Sequence, residues 1–172
     1  FSTDVVSSVL QMDMEKIRIA IEEVDRQVFN RVVDKLIAAR HIYILGVRSS
    51  SFLAGYLHFY FHLIFENVTL VTSNSAGDIL ESILRIGPGD VLVGISFPRY
   101  SKATVKGVQF AHDRGADVVA LTDSALSPLY PLASAVLLAR SDMISFVDSL
   151  VAPFSLLNAL IVSAGHRKDA DI

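Results

Sequence analysis

The sequence has no cysteine among its 172 residues, and this absence excludes several kinds of chemistry. Without cysteine the chain cannot form disulfide bonds, use a catalytic thiolate or bind zinc through sulfur ligands. A lack of cysteine fits a reducing compartment, and we expect a cytoplasmic protein.

Positive charge is also scarce. The chain has 15 Lys and Arg against 18 Asp and Glu, and its net charge is −3. Binding to nucleic acid needs clustered cations that neutralise phosphates, and no such cluster occurs here. We therefore do not expect this chain itself to bind DNA or RNA.

Long hydrophobic runs are absent as well, although 52% of the residues are hydrophobic. The most apolar stretches, residues 55–65 and 150–164, are shorter than the roughly 20 apolar residues that a membrane-spanning helix needs. No contact with a membrane is expected. So high an apolar content instead predicts a sheet covered on both faces, a self-associating surface, or both.

Short apolar runs alternate with amphipathic segments along the chain. The predicted strands are residues 41–47, 68–72, 91–95, 117–121 and 135–139. No hairpin signal of the Asn-Gly type separates them. The alternation predicts a three-layer α/β/α sandwich with a five-stranded parallel, doubly wound sheet. In such folds ligands bind beyond the carboxyl ends of the strands, where the strand order reverses.

The predicted helices cover residues 52–65, 75–84, 102–114 and 145–164, with Pro153 either kinking the last one or lying in its early turns. Residues 13–40 have a helical period and form one long helix or two shorter ones. We expect residues 1–40 to be a helical segment that packs on the domain or on a partner. Residues 41–172 are expected to form a single domain.

The stretch 90–107, DVLVGISFPRYSKATVKG, is the strongest candidate for a site. A strand ends at Ser96, and a helix starts near Lys102, so free backbone N–H groups and a helix dipole meet at the turn. The turn adds the hydroxyl groups of Ser96 and Ser101 and the guanidinium of Arg99, although Pro98 removes one backbone donor. These features predict an anion site that suits a phosphate.

The turn after the first strand, Arg48-Ser49-Ser50-Ser51, has a similar composition. It lacks the glycines of G-x-G-x-x-G, and the chain has no G-x-x-x-x-G-K-[ST], so neither a dinucleotide nor ATP is indicated. Serines at a helix N-terminus can also be simple caps. Two turns that each combine serines with an arginine at a strand end favour an anion site, and we expect them to face each other across one crevice.

Three other features bear on function. His58 and His62 share a helix face, but no nearby acidic residue completes a metal site, so we prefer packing or subunit contact and expect no metal or other cofactor. Their helix, residues 52–65, is apolar around much of its circumference, which predicts a homodimer or larger assembly. Glu81 is the best candidate for a catalytic base, although a solvated carboxylate explains it equally well.

Taken together, the motifs resemble the sugar isomerase (SIS) domain, and more closely the C-terminal SIS domain of RpiR-type bacterial transcriptional regulators. The segments that carry the resemblance are ILGVRSSSFLA, VLVGISFPRYSKATV, VVALTDSALSPLYPLA and FVDSLVAPFSLLNALI. The resemblance implies a flavodoxin-like fold that binds phosphosugars. It places ligand contacts at Ser49, Ser50, Ser96, Ser101 and Thr104, to which the residues themselves add Arg48 and Arg99.

The sequence departs from the family pattern at both turns. Arg48 occupies the second glycine of G-x-G-x-S, and Pro98, Arg99 and Ser101 occupy the last three defined positions of S-x-S-G-x-T. These changes replace flexible backbone with fixed charge. They suggest an altered ligand, either a different phosphosugar or another acidic metabolite.

Regulators of this type carry a helix-turn-helix domain before the SIS domain. The chain begins with FSTDVV, and we expect it to be part of a longer protein. The resemblance therefore implies an effector-sensing module that modulates DNA binding by a domain outside this chain. The alternatives are a sugar-phosphate isomerase of the aldose–ketose type and a dimerisation module with a vestigial site.

Overall fold

The computed structural model describes residues 4–141, 143–144 and 147–170. Helices and strands alternate through most of this range. In chain order they are α1 (Val5–Glu23), α2 (Arg26–Ala38), β1 (Ile42–Gly46), α3 (Ser50–Ile64), β2 (Val68–Val71), α4 (Ala76–Ser82), β3 (Val91–Ile95), α5 (Lys102–Asp113), β4 (Asp117–Thr122), a 3-10 turn (Tyr130–Leu132), β5 (Ala135–Leu138), β6 (Met143–Ile144), β7 (Val147–Asp148) and α6 (Val151–Ala170).

The first five strands form one parallel sheet in the order β2-β1-β3-β4-β5, which confirms the predicted doubly wound sheet. This is the flavodoxin-like order, and it reverses direction between β1 and β3. The register of that pair places Gly46 beside Ile95, the last residues of the two strands. The turns that follow β1 and β3 therefore start next to each other at the same edge of the sheet.

Helices cover both faces of the sheet because neighbouring strand residues point to opposite sides. In β1, Ile44 belongs to the apolar cluster under α2, α3 and α6, whereas Leu45 belongs to the cluster under α4 and α5. Both side chains are 0% exposed. Burial of one such side chain contributes about 1.5–3 kcal/mol, so the two clusters hold the three layers together.

The segment before β1 forms two helices, α1 and α2. Its periodicity was equally compatible with one long helix. The break occurs because Asp25 caps α2, where its Oδ1 accepts hydrogen bonds from the N–H groups of Gln27 and Val28. Val24, just before this cap, has extended backbone and ends α1. Among the described helices none is long and apolar enough to cross a membrane.

The start of the last helix differs from the prediction. The helix begins at Val151, and Ser145, the predicted start, lies outside the described residues. Before it, Met143–Ile144 pairs antiparallel with Val147–Asp148, a contact that no turn signal in the sequence indicated. Pro153 lies in the first turn of α6, where a missing N–H removes no intrahelical hydrogen bond.

A close approach of backbone to backbone fixes the start of α3 against the end of β1. A Cβ atom added at Gly46 would lie 2.6 Å from the carbonyl oxygen of Ser50 and 3.1 Å from its carbonyl carbon. Main-chain atoms cannot move aside as a flexible side chain can. Only glycine at this position lets the first turn of α3 begin where it does.

We expect Gly46→Ala to lower the free energy of unfolding by about 1–3 kcal/mol, because the new methyl group overpacks the turn. Gly55→Ala is the matched control, since an added Cβ there meets no heavy atom within 4 Å. In mid-helix that change should be neutral or stabilise by up to about 1 kcal/mol. Urea unfolding of both variants tests this, and a Gly46→Ala protein as stable as the wild type would contradict it.

An ion pair joins Arg40, just after α2, to Asp90, just before β3. The Asp90 carboxylate accepts hydrogen bonds from Arg40 Nε at 3.0 Å, Arg40 Nη2 at 2.8 Å and the Gly87 N–H at 3.0 Å. Asp90 is 1% exposed. Burial alone would raise the pKa of this carboxyl group, but the hydrogen bonds from Arg40 and Gly87 outweigh it and hold the pKa below its ordinary value.

We expect Asp90→Asn to lower the free energy of unfolding by about 1–3 kcal/mol at neutral pH, because a charged hydrogen-bond acceptor is lost from a buried position. A depressed carboxyl pKa stabilises the fold above the unfolded value of about 3.9, and this contribution disappears as pH falls through the folded value. The difference in the free energy of unfolding between the wild type and Asp90→Asn should therefore become smaller below about pH 4.

Asp34→Asn provides the control for this measurement. Asp34 pairs with Arg167 at 2.8 Å, but both side chains are about half exposed. Exposed pairs contribute about 0.2–1 kcal/mol, so the control should change stability less than Asp90→Asn does. Equal effects of the two substitutions on urea unfolding at pH 7 would show that the buried Asp90 pair contributes no more to stability than the exposed Asp34 pair does.

Candidate functional site

A crevice opens at the carboxyl ends of β1 and β3, where the strand order reverses. It has a volume of 230 Å³ and is lined by both predicted turns. Its lining residues are Val47, Arg48, Ser49, Ser50, Ser96, Phe97, Pro98, Arg99 and Ser101. The structure thus brings together six of the seven residues that the sequence analysis assigned to ligand binding.

The first turn presents a nearly buried serine and an exposed arginine to this crevice. Ser50 is 6% exposed, and its N–H donates to the carbonyl oxygen of Val47 at 3.0 Å. Ser49 occupies the N-cap position of α3 but makes no capping hydrogen bond with its side chain. Ser51 donates its hydroxyl to the carbonyl oxygen of Arg48 at 2.6 Å. Simple capping therefore does not explain Ser49.

The second turn has a similar construction. Ser96 is 4% exposed, and its N–H donates to the carbonyl oxygen of Leu121 at 3.1 Å. Ser101 does cap α5, because its Oγ accepts from the Thr104 N–H at 3.2 Å. Its side chain thereby orders the start of α5 while it also lines the crevice.

Arg48 and Arg99 share an unusual backbone conformation. Their φ angles are +54° and +64°, and within the described residues they are the non-glycine residues with positive φ. Side chains disfavour this left-handed region, and each such residue costs about 1–3 kcal/mol of strain. Both positions are ones where the family pattern has glycine. The backbone is left-handed at both positions although the residue is arginine.

Two residues singled out from the sequence lie elsewhere. Thr104 is 0% exposed, its Oγ1 has no hydrogen-bond partner among the described residues, and it is not part of the crevice lining. Glu81 is exposed on α4 and is not part of the crevice lining either. The structure therefore does not bring the candidate base to the crevice within this chain.

A second cavity adjoins the crevice and was not anticipated from the sequence. It has a volume of 380 Å³ and is lined by Val47, Arg48, Asn74, Tyr100, Ser101, Lys102 and Ala103. Val47, Arg48 and Ser101 line both cavities, so the two are neighbours. Tyr100 and Lys102 belong to the stretch 90–107 that the sequence highlighted, whereas the loop after β2 contributes Asn74.

A short hydrogen bond anchors the second turn to the end of β4. The Tyr100 hydroxyl donates to Oδ1 of Asp123 at 2.5 Å. Burial raises the pKa of Tyr100 to about 12, and the hydrogen bond and charge of Asp123 act in the same direction. Tyr100 therefore stays protonated at neutral pH and keeps its hydrogen bond to Asp123.

The histidine pair on α3 stacks, with ring centroids 5.9 Å apart and planes 14° from parallel. Burial lowers the pKa of His58, and the neighbouring charge of His62 lowers it further. Over the described part of the chain no group of three or more His, Asp or Glu side chains could hold a metal ion. The two rings do not line the crevice.

Known proteins are similar to this chain in sequence and in structure. An HTH-type transcriptional regulator of Clostridium perfringens, itself uncharacterised, is 24% identical over 130 residues, which are 76% of this chain and 46% of the regulator. The chain thus spans about half the length of this relative. The relative's activity as a whole protein does not transfer to this chain by similarity alone.

Two solved structures share the fold. The sugar isomerase domain of an RpiR transcription factor from Sphaerobacter thermophilus has a TM-score of 0.92 at 23% identity, covering 98% of this chain and 93% of that one. The Vibrio vulnificus NanR protein complexed with ManNAc-6P has a TM-score of 0.85 at 22% identity, covering 96% of this chain and 64% of that one. At such identities the likeness shows a common fold.

The family itself follows from the sequence match. The family model described as the SIS domain matches residues 35–163, which include the sheet and both turns of the crevice. The resemblance drawn from the motifs is thereby confirmed. This chain belongs to the SIS domain family.

Proposed function

We propose that this chain is the effector-binding domain of a transcriptional regulator and that its crevice binds a phosphorylated sugar or a related anionic metabolite. The observation that carries the proposal is the crevice between β1 and β3. There, two nearly buried serines and two arginines line one cavity at the position where doubly wound sheets bind ligands.

The local chemistry suits a phosphate. α3 begins at Ser50 and α5 begins at Lys102, so the positive ends of two helix dipoles lie at the crevice. Serine hydroxyl groups donate to phosphate oxygens, and a guanidinium can bind two of these oxygens at once. The NanR structure is named as a complex with ManNAc-6P, which supports a phosphorylated sugar as the ligand class.

A sensor fits the crevice better than an isomerase does. Enolisation of a sugar phosphate needs a base within hydrogen-bond reach of the substrate. Among the residues that the structure describes, no Asp, Glu or His lines either cavity, and Glu81 lines neither of them. The similarity to an HTH-type regulator supports the same choice.

Regulation would then act through a helix-turn-helix domain outside this chain. A bound metabolite changes DNA binding only when its affinity differs between two arrangements of the regulator. In this proposal the ligand draws the two turns of the crevice together, and the helices that begin there, α3 and α5, transmit the change. No cofactor takes part.

We also propose that the domain forms a homodimer through α3. One side of this helix is buried by the sheet, with Leu53, Leu57 and Phe61 at 0% exposure. The other side carries Phe52, Phe59 and Leu63, which are 59–70% exposed and recur at helical spacing. A row of large apolar side chains that this chain leaves open to water suits a second copy of the chain.

Replacing Phe59 with Asp should convert the dimer to a monomer, because a charge would be buried in the contact. Sedimentation-velocity centrifugation of the wild type and the variant measures this. Leu126→Asp is the control, since Leu126 is 92% exposed and lies outside α3. A wild type that sediments as a monomer, or a Phe59→Asp protein that sediments as a dimer, would refute the α3 contact.

The ligand proposal predicts that sugar phosphates raise the melting temperature of this chain. At a ligand concentration of about 100 Kd the stabilisation is about 2.7 kcal/mol, which corresponds to a shift of about 5–10 °C for a domain of this size. Ser50→Ala combined with Ser96→Ala should abolish the shift, because both crevice hydroxyls are lost. Ser82→Ala, an exposed serine on α4, should leave it intact.

Two outcomes would overturn this assignment. A broad panel of sugar phosphates that leaves the melting temperature unchanged would refute ligand binding at the crevice. If NMR showed that the chain interconverts aldose and ketose phosphates, and if Glu81→Gln abolished this activity, the domain would be an isomerase instead.

A further inference from the structure

The loop between β4 and β5, residues 123–134, lies beside the crevice without lining it. It follows the strand that pairs with β3, and its first residue, Asp123, reaches the second turn through a hydrogen bond. None of its residues lines the crevice or the adjoining cavity. Any influence of this loop on a ligand there acts through another residue or through charge.

Hydrogen bonds within the loop and an apolar anchor give it a defined shape. The Ser124 carbonyl oxygen accepts from the Ser127 N–H at 3.1 Å, and the Ser124 Oγ accepts from the Leu126 N–H at 3.2 Å. Leu129 is 0% exposed and lies against β3, where a Cβ atom added at Gly94 would be 3.6 Å from its Cδ2. The loop is therefore a fixed support next to β3.

A side-chain hydrogen bond carries this support to the second turn. The Tyr100 hydroxyl donates to Oδ1 of Asp123 at 2.5 Å, and the Ser124 side chain also hydrogen-bonds to Tyr100. Hydrogen bonds to a carboxylate are roughly twice as strong as those between neutral groups. Tyr100 stands between Arg99 and Ser101, and both of these line the crevice. Fixing Tyr100 therefore fixes the backbone that presents them.

The backbone of the second turn is strained and needs such support. Arg99 has a φ of +64°, and a left-handed conformation in a residue with a side chain persists only where the surrounding structure fixes it. The corresponding residue of the first turn, Arg48, is held locally, because Ser51 donates its hydroxyl to the Arg48 carbonyl oxygen at 2.6 Å. At the second turn the bond from Tyr100 to Asp123 supplies support from outside the turn.

The charge of Asp123 and its hydrogen bond have opposite effects on an anion at the crevice. A carboxylate repels a nearby anion and lowers its affinity. The hydrogen bond raises the affinity, because groups already held in their binding positions lose less freedom when the ligand binds. The two effects are separable, since asparagine keeps an acceptor oxygen and removes the charge.

We propose that Asp123 is a positioning residue, which acts through the Tyr100 hydroxyl to hold the second turn in the conformation that binds the ligand. The inference rests on the proposed function and extends it to a residue that lines neither cavity. The affinity for the ligand depends on a hydrogen bond that the ligand itself does not make. The negative charge of Asp123 makes no favourable contribution to binding.

Titration calorimetry of the 172-residue chain tests this with two probes, glucose 6-phosphate and ManNAc-6P, the compound named in the NanR complex. Asp123→Ala should weaken the binding of a probe about tenfold, because it removes the acceptor for Tyr100. It should do so although it also removes a negative charge near the anion. Asp123→Asn should bind at least as tightly as the wild type.

Tyr100→Phe removes the donor of the same hydrogen bond. It should weaken binding as much as Asp123→Ala does, and the double variant should bind no more weakly than either single variant, because both side chains act through one contact. The comparison distinguishes positioning from direct contact with the ligand. A Tyr100 hydroxyl that bound the ligand itself would be released by Asp123→Ala, and binding would then become tighter.

Tyr56→Phe is the matched control. The Tyr56 hydroxyl donates to Oδ1 of Asn158, also at 2.5 Å, and Tyr56 lines neither cavity. Urea unfolding should show that both Tyr→Phe variants are folded and similar in stability, whereas calorimetry should show weaker binding for Tyr100→Phe alone. A hydrogen bond with a merely structural role would leave the affinity of both variants unchanged.

The possible results separate this inference from the proposed function. Unchanged or tighter binding by Asp123→Ala, a loss in Asp123→Asn as large as in Asp123→Ala, or additive losses for Asp123→Ala and Tyr100→Phe would each overturn the inference and leave phosphosugar binding in place. A wild type that binds neither probe would count against phosphosugar binding and would overturn this inference with it.

Discussion

The parallel pairing of β1 with β3 is the constraint on which the candidate site depends. Because Gly46 lies beside Ile95, the two strands end together and their turns open at the same edge of the sheet. The strand order reverses here, so α3 and α5 leave the sheet toward opposite faces and a crevice remains between their first turns. The close contact of Gly46 with the Ser50 backbone then sets the position of the first turn.

The same arrangement places polar groups at the carboxyl ends of apolar, buried strands. Ser50 and Ser96 are almost buried, and Tyr100 is held by Asp123 at the end of β4. The arginines at both turns keep a left-handed backbone that glycine would adopt without strain. Backbone strain persists where surrounding structure fixes it, and it tends to lie at functional sites. Here the strain, the charge and the cavities coincide, which supports an anionic ligand.

Much of this architecture could be predicted because its physical signals are local. Strands buried on both faces, such as Val91–Ile95, are apolar throughout, and Gly115 marks the end of α5 with a φ of +83°. The paired strands Met143–Ile144 and Val147–Asp148 are too short to carry a periodic pattern, and α6 consequently begins later than predicted. Asn74 could not be predicted as a lining residue, because only the folded sheet brings the loop after β2 to the second cavity.

The motifs together identify the family, whereas the surroundings of individual side chains follow only from the fold. Thr104, which the resemblance placed among the ligand contacts, lies fully buried in α5. The left-handed conformation of the arginines could not be predicted either, since a sequence usually marks such positions with glycine.

In the proposed function an anionic sugar metabolite binds between the two turns. Titration of the ¹⁵N-labelled chain with a sugar phosphate, followed by amide chemical shifts, tests it most directly. The account predicts selective changes at residues 48–51 and 96–102, whereas changes confined to other surfaces, or none at all, would contradict it.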